Sequence, residues 1–307
     1  MEQLVFVLVF LAIGVLLRLS GRLPDNAAKV LGGWVINVAL PATALHAVHN
    51  VSVDMSWLLA AASPWIAVAL ALLLLPPLGR SLGWSRQRVG GVLLVAGWGN
   101  TSFVGIPMIL AFAGAQWVPL GLFIDLFGSY LALSVVGIAI AATAGAGGFS
   151  AGAVLRRIAT FPPFVALVVA LATNHLDRPD WLQDGIAALA ATMTPLALAA
   201  VGFALRLDRL AGRAAALAVA LGFRLVLAPA ALLLLYLALE GAGLLAGQVA
   251  VRDVAVLEMA MPPMLGAAII AMEHDLEPDL VALTIGIGIP LSLLTATLWW
   301  QVLQALP

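Results

Sequence analysis

Apolar residues fall along this chain in long blocks separated by short polar breaks. Ten such blocks can be drawn, at about 3–19, 27–45, 57–78, 88–113, 117–143, 154–173, 182–205, 214–239, 250–272 and 280–305. A helix rises about 1.5 Å per residue, so a hydrocarbon core of about 30 Å takes about 20 residues. The pattern therefore predicts ten transmembrane helices and leaves no stretch long enough for a soluble domain. The first block, in MEQLVFVLVFLAIGVLLRLSGRL, has the length of a secretory leader. Glu2 stands where a leader carries positive charge, however, and no small-residue cleavage site follows, so it is expected to be the first span.

Composition agrees with a lipid solvent. Hydrophobic residues make up 64% of the 307 positions and charged residues 9%, against roughly a quarter charged in a soluble domain. A net charge of −1 gives no basic balance that would suit a nucleic acid, and none is expected as a partner. With no cysteine, disulfides, thiolate metal sites and cysteine nucleophiles are excluded.

The lysines and arginines are sorted by loop. With the amino terminus outside, Arg18, Arg22, Lys29, Arg80, Arg86, Arg88, Arg156, Arg157, Arg206, Arg209 and Arg213 fall in cytoplasmic loops. Arg178 is external, Arg252 is near the end of a block and Arg224 is inside one. Cytoplasmic loops collect basic residues, which predicts that both termini are periplasmic in a bacterial inner membrane. The loop Glu273-His274-Asp275-Leu276-Glu277-Pro278-Asp279 is acidic and carries no weight in that rule.

Ten spans divide into two fives, and an odd number inverts the second copy. The punctuation fits such a repeat over 1–145 and 146–307: Pro41 in block two matches Pro195 in block seven, and AGWGNTSFVGIPMI in block four matches LEMAMPPMLGAAII in block nine. Glycine eases unwinding and proline suits the first turn of a new helix. Blocks four and nine are therefore expected to break in mid-membrane, where one half-helix exposes carbonyls and the next exposes N–H groups. Such backbone survives in a bilayer only inside protein or around a wet cavity, so two breaks at one depth imply a central site.

The strings NTSFVGIPMILAFAG, AMPPMLGAAIIAMEHDLEPDL, FRLVLAPA and INVALPATAL, in this order and at this spacing, resemble the auxin efflux carrier family, which includes the plant PIN-formed carriers and bacterial organic-acid carriers. The resemblance covers nearly the whole chain. It implies an all-α polytopic fold of two inverted five-helix repeats, similar to bile-acid symporters and sodium/proton antiporters, with helices four and nine crossing at the substrate site. It also implies a secondary transporter of a small organic anion, auxin-like or a mono- or dicarboxylate, with a scaffold and a moving unit worked as an elevator. The family's carboxylate-binding asparagine maps onto Asn100 and its crossover prolines onto Pro107 and Pro262. Many relatives carry Asn or Gln shortly after the ninth-span proline; here Pro263, Met264, Leu265 and Gly266 follow, a more apolar half-site.

A charge in mid-span costs about 2.5–3.5 kcal/mol on insertion scales, so each one requires a reason. Asp125 and Glu258 each lie eight residues in from the outer ends of blocks five and nine, and Asn100 twelve from the inner end of block four, which puts them at similar heights. Glu258 is the candidate for ion coupling, with Thr101 or Ser102 completing a sodium site or with a proton on the carboxyl; the alternative is a structural ion pair with Arg224. Asp125 shares a helical face with Ser129, four residues on, for coupling or for a structural hydrogen bond. Arg224 is expected to be a structural counter-ion. Substrate contact is expected from Asn100, Thr101, Trp98, Pro107, Pro262 and Pro263, the alternatives being a hydrogen-bonded helix break for Asn100 and plain packing for Trp98.

His46, His49, His175 and His274 fall at block ends without ligand spacing, so no metal is expected beyond sodium at Glu258. Nor is a cofactor, apart from sodium or a proton as coupling ion. Intramembrane proteolysis would require paired aspartates or a serine with an intramembrane histidine, and neither pattern occurs. The remaining alternatives are a sodium-coupled bile-acid-like symporter and a membrane receptor or structural protein. Lipid and a small organic anion are the expected partners, with a homodimer as one open arrangement.

Overall fold

In lipid every backbone N–H and C=O must be satisfied within the protein, which leaves helix as the economical choice for an open chain. The computed structural model describes residues 2–48, 55–145, 150–204, 212–244 and 247–306, and among them there is helix but no strand. Among the described residues six helical runs are long and apolar enough to cross a membrane: Ala27–Ala47, Met55–Ser81, Ala115–Ala144, Asp180–Ala204, Ala214–Gly241 and Pro278–Ala305. Val5–Leu19, Thr101–Phe112 and Pro162–Ala172 are shorter apolar helices. Blocks four and nine are each divided, into Arg86–Gly97 and Ile106–Phe112 with a π-helical turn before the second, and into Val249–Met259 and Leu265–Glu273. Arg206, Arg209 and His49 lie outside the described residues.

Proline shapes the long helices locally. A proline has no N–H to donate and its ring crowds the carbonyl four residues back. Three π-helical segments, Val35–Ala39, Thr101–Gly105 and Phe223–Leu227, run directly into α-helices that carry Pro41, Pro107 and Pro229 in their first turn. The wider π winding shifts hydrogen bonding to the fifth residue and accommodates the missing donor, and such turns are frequent at functional sites. Block seven instead breaks between Asp180–Ala191 and Met193–Ala204, where Thr192 turns the chain ahead of Pro195.

The chain forms two compact units, each drawing on both sequence halves. The first comprises 1–54, 102–122 and 155–205; the second comprises 55–101, 123–154 and 206–307. In the first, helices Glu2–Leu19 and Met193–Ala204 touch backbone to backbone. A Cβ at Gly14 would lie 2.1 Å from the Ala199 carbonyl oxygen, and one at Gly202 would lie 2.1 Å from that of Leu11. Only glycine permits that approach. In the same unit the Trp34 indole donates to Thr192 Oγ1 at 3.0 Å.

In the second unit Gly128 performs the same service for the proline-bearing helix Met55–Ser81, since a Cβ there would lie 2.6 Å from Pro64 Cγ. The acidic loop found in the sequence is tied down. Leu276 is fully buried, its carbonyl would lie 2.5 Å from a Cβ at Gly91, Glu277 accepts from Arg88 at 2.8 Å, and Asp279 accepts from Arg213 at 2.9 Å. Glu277 and Asp279 thus face arginines distant along the chain, pairings that loop-by-loop charge counting does not show.

Candidate functional site

The two expected breaks meet within the second unit. Helix Arg86–Gly97, started by Ser85 accepting from the Arg88 backbone N–H, ends at Trp98, whose backbone is extended. The Asn100 backbone N–H donates to the Pro262 carbonyl at 2.7 Å and the Met264 N–H donates to the Trp98 carbonyl at 3.0 Å. Between these bonds Gly99 and Pro263 form an antiparallel bridge. The pairing satisfies backbone that unwinding has released from both helices, as a low-dielectric interior demands. Pro262 and Pro263 have no N–H, so the ninth block contributes a carbonyl and the Met264 donor. Close approach also restricts the side chains. A Cβ at Gly99 would lie 3.3 Å from the Glu258 carbonyl and 3.4 Å from Arg224 Cζ, while one at Gly288 would lie 2.8 Å from Pro263 Cδ.

Around this crossing stand the buried polar groups. Asn100, Thr101, Asp125, Arg224 and Glu258 are each at most 1% exposed. The Thr101 hydroxyl donates to Asp125 Oδ1 at 2.5 Å, the short end of the range for an O–H on a carboxylate. Arg224 donates from Nη1 to the Gly97 carbonyl at 3.3 Å and from Nη2 to the Met259 carbonyl. Neither carboxyl oxygen of Glu258 has a hydrogen-bond partner among the described residues. The charged groups that act on it electrostatically are Asp125 and Arg224. Arg224 and Glu258 are therefore neighbours without a hydrogen-bonded ion pair, because the guanidinium is turned to carbonyls instead.

The other expected residues divide by unit. Trp98 is 1% exposed and its indole N–H has no acceptor among the described residues. Ser129 is buried beside Asp125, but its hydroxyl is not hydrogen-bonded; Ile124–Tyr130 winds as a π-helix, so the α-helical spacing that would pair the two does not apply. Ser102 and Pro107 are buried and belong to the first unit, the chain leaving the second between Thr101 and Ser102.

Two features have little signature in the sequence. The Gly97 and Met259 carbonyls matter as backbone, which no residue type advertises. Arg252, read as lying near a block end, is fully buried, with Nη1 on Glu240 and Nε on Asp253, both at 3.0 Å, and Gln304 donates to Asp253 at 3.4 Å. The adjacent Arg252-Asp253 pair, set in an otherwise apolar block, was the available signal. Among the described residues no three His, Asp or Glu side chains gather as a metal site.

The arrangement combines an uncapped helix start, a buried amide, a buried indole donor and a buried carboxyl, the components from which an anion site and a cation-exchange group can be made. A family model for membrane transport proteins matches residues 1–147 and 148–300. The chain is 27% identical to an uncharacterized transporter of Methanothermobacter thermautotrophicus, over 98% of each sequence. It is 25% identical to an uncharacterized transporter of Methanocaldococcus jannaschii, over 99% of this chain and 98% of the relative. The chain therefore belongs to the membrane transport protein family, that of the auxin efflux carriers, and is a multi-pass membrane protein.

Proposed function

We propose that the protein is a secondary active transporter of a small organic anion, a mono- or dicarboxylate, working by an elevator-type alternating-access mechanism. In this reading ten spans form two inverted five-helix repeats, 1–145 and 146–307, with both termini periplasmic in a bacterial inner membrane. The observation that carries the anion reading is the crossing itself. Helix Leu265–Glu273 begins with no side-chain cap on its N–H groups, its preceding Met264 being extended. A helix start of this kind favours negative charge.

Asn100 and the Trp98 indole add buried side-chain donors from the other break. A carboxylate held by an amide, an indole N–H and a helix start needs no arginine clamp, which suits a carrier that must release what it binds. Glu258 is the coupling group in this reading: buried, with both oxygens unbonded, it can take a cation, sodium or proton, whose presence changes with substrate loading. Thr101 orients Asp125 beside it.

The direct test is uptake by proteoliposomes of a radiolabelled panel of mono- and dicarboxylates under imposed sodium or proton gradients. Gradient-dependent accumulation of at least one carboxylate, and not of its neutral amide, is the expected result. Accumulation of neither, by protein shown to be folded and inserted, contradicts the proposal.

A further inference from the structure

Arg224, like Arg252, is a fully buried arginine of the second unit, and its position follows from the two helix breaks. Gly97 is the last residue of helix Arg86–Gly97 and Met259 the last of helix Val249–Met259. The guanidinium donates to the carbonyls of both, with Nη1 on Gly97 at 3.3 Å and Nη2 on Met259. The last carbonyls of a helix lack intrahelical partners, and they form the negative end of its dipole. Two such ends meet here in a buried setting, which calls for a positive charge. Arg224 is offered by the π-helical turn Phe223–Leu227, which precedes Pro229.

We infer that Arg224 is a resident cation: its guanidinium holds the position between the two helix ends that a bound metal cation would otherwise take. It is a positioning residue, tying together the carbonyl ends of helices Arg86–Gly97 and Val249–Met259. Three features support the assignment. The two bonds run to backbone carbonyls of different helices, Arg224 is not hydrogen-bonded to Glu258, and Gly99 lets the guanidinium lie against the chain, with Arg224 Cζ at 3.4 Å from where a Cβ would be. A counter-ion role alone would turn the fork toward a carboxylate. The consequence deepens the proposed function and rests on it. With this position filled by a tethered charge, sodium is not required at the crossing, and a proton is left as the cation for Glu258.

The test reads stability of the purified full chain in detergent, without substrate, so that its outcome is separate from whether carboxylates are transported. Arg224→Ala should lower the thermal midpoint. Millimolar guanidinium chloride should restore at least half of that loss, while giving wild type no stabilisation. Sodium chloride, compared with choline chloride at equal ionic strength, should leave wild type unmoved.

Guanidinium that leaves the variant unmoved, or sodium that raises the wild-type midpoint, overturns the assignment. Should Arg224→Ala not accumulate, Arg224→Lys and Arg224→Gln decide the matter. Lysine keeps the charge and should give the higher midpoint, whereas a glutamine variant as stable as the lysine variant would mean that hydrogen bonding, not charge, is what the helix ends require.

Discussion

In the first unit the buried side chains are almost all apolar, with Thr43 and Ser102 the polar exceptions among the described residues. In the second unit Asp125, Arg224, Arg252, Asp253 and Glu258 are all buried. Both units answer to the same solvent, and a charge in mid-span is expensive in either. The first uses its close contacts to bring helices together, glycine against backbone at Gly14 and Gly202. The second uses them to bring a glycine and two prolines together at a helix crossing and then surrounds the crossing with charges. The first unit thus buries packing contacts alone among its described residues, whereas the second also buries charge, and Glu258, a buried carboxyl without a hydrogen-bonded partner, is where the proposed function places its coupling step.

The largest effect expected from that division is in the first unit, which buries no charge among its described residues. Gly202→Val would drive a side chain into the Leu11 carbonyl, already 2.1 Å from an ideal Cβ. Helix backbones cannot yield cheaply, so a destabilisation of about 3 kcal/mol is expected, at the upper end for overpacking. Thermal unfolding in detergent and recovery of monodisperse protein measure it. Gly185→Ala in the same unit is the control, because a Cβ there meets nothing within 4 Å. Equal losses for the two would break the packing account of the first unit.

A smaller effect on folding, and a complete one on coupling, is expected at Glu258. Glu258→Gln keeps the shape and removes the exchangeable charge, and with neither oxygen hydrogen-bonded in the parent the substitution breaks no bond. Its thermal midpoint should stay close to wild type, while transport in proteoliposomes should stop or lose its dependence on the cation gradient. Gradient-driven uptake at the wild-type rate would remove Glu258 from the coupling role. It would also leave the contrast between the units without its functional meaning.

The sequence carried much of this in its punctuation. Gly97, Gly99 and Pro107 announced the fourth-block break, and Pro262 with Pro263 the ninth, because these residue types change what a backbone can do. That Asn100, Asp125 and Glu258 could gather at one place followed from counting residues along helices. What could not be counted was the direction of side chains across the crossing. Asp125 pairs with Thr101 and not Ser129, since a π-helical winding replaces the α-helical spacing that the count assumes. Arg224 faces carbonyls and not Glu258, since backbone acceptors carry no signature in the sequence. The division into units was also hidden, because each unit gathers segments that are distant along the chain.

If the crossing in the second unit holds the substrate's negative charge, Asn100 is its most direct probe. A hydrogen bond to a charged group contributes about 1.5–3 kcal/mol, so Asn100→Ala should weaken carboxylate binding by about ten- to a hundred-fold. The measurement is the affinity of a carboxylate and of its neutral amide for wild type and for a folded Asn100→Ala variant. Wild type should prefer the carboxylate, and the variant should lose most of that preference. A variant that binds the carboxylate as tightly as wild type, or a wild type that does not distinguish the two, would contradict an anion site at the crossing.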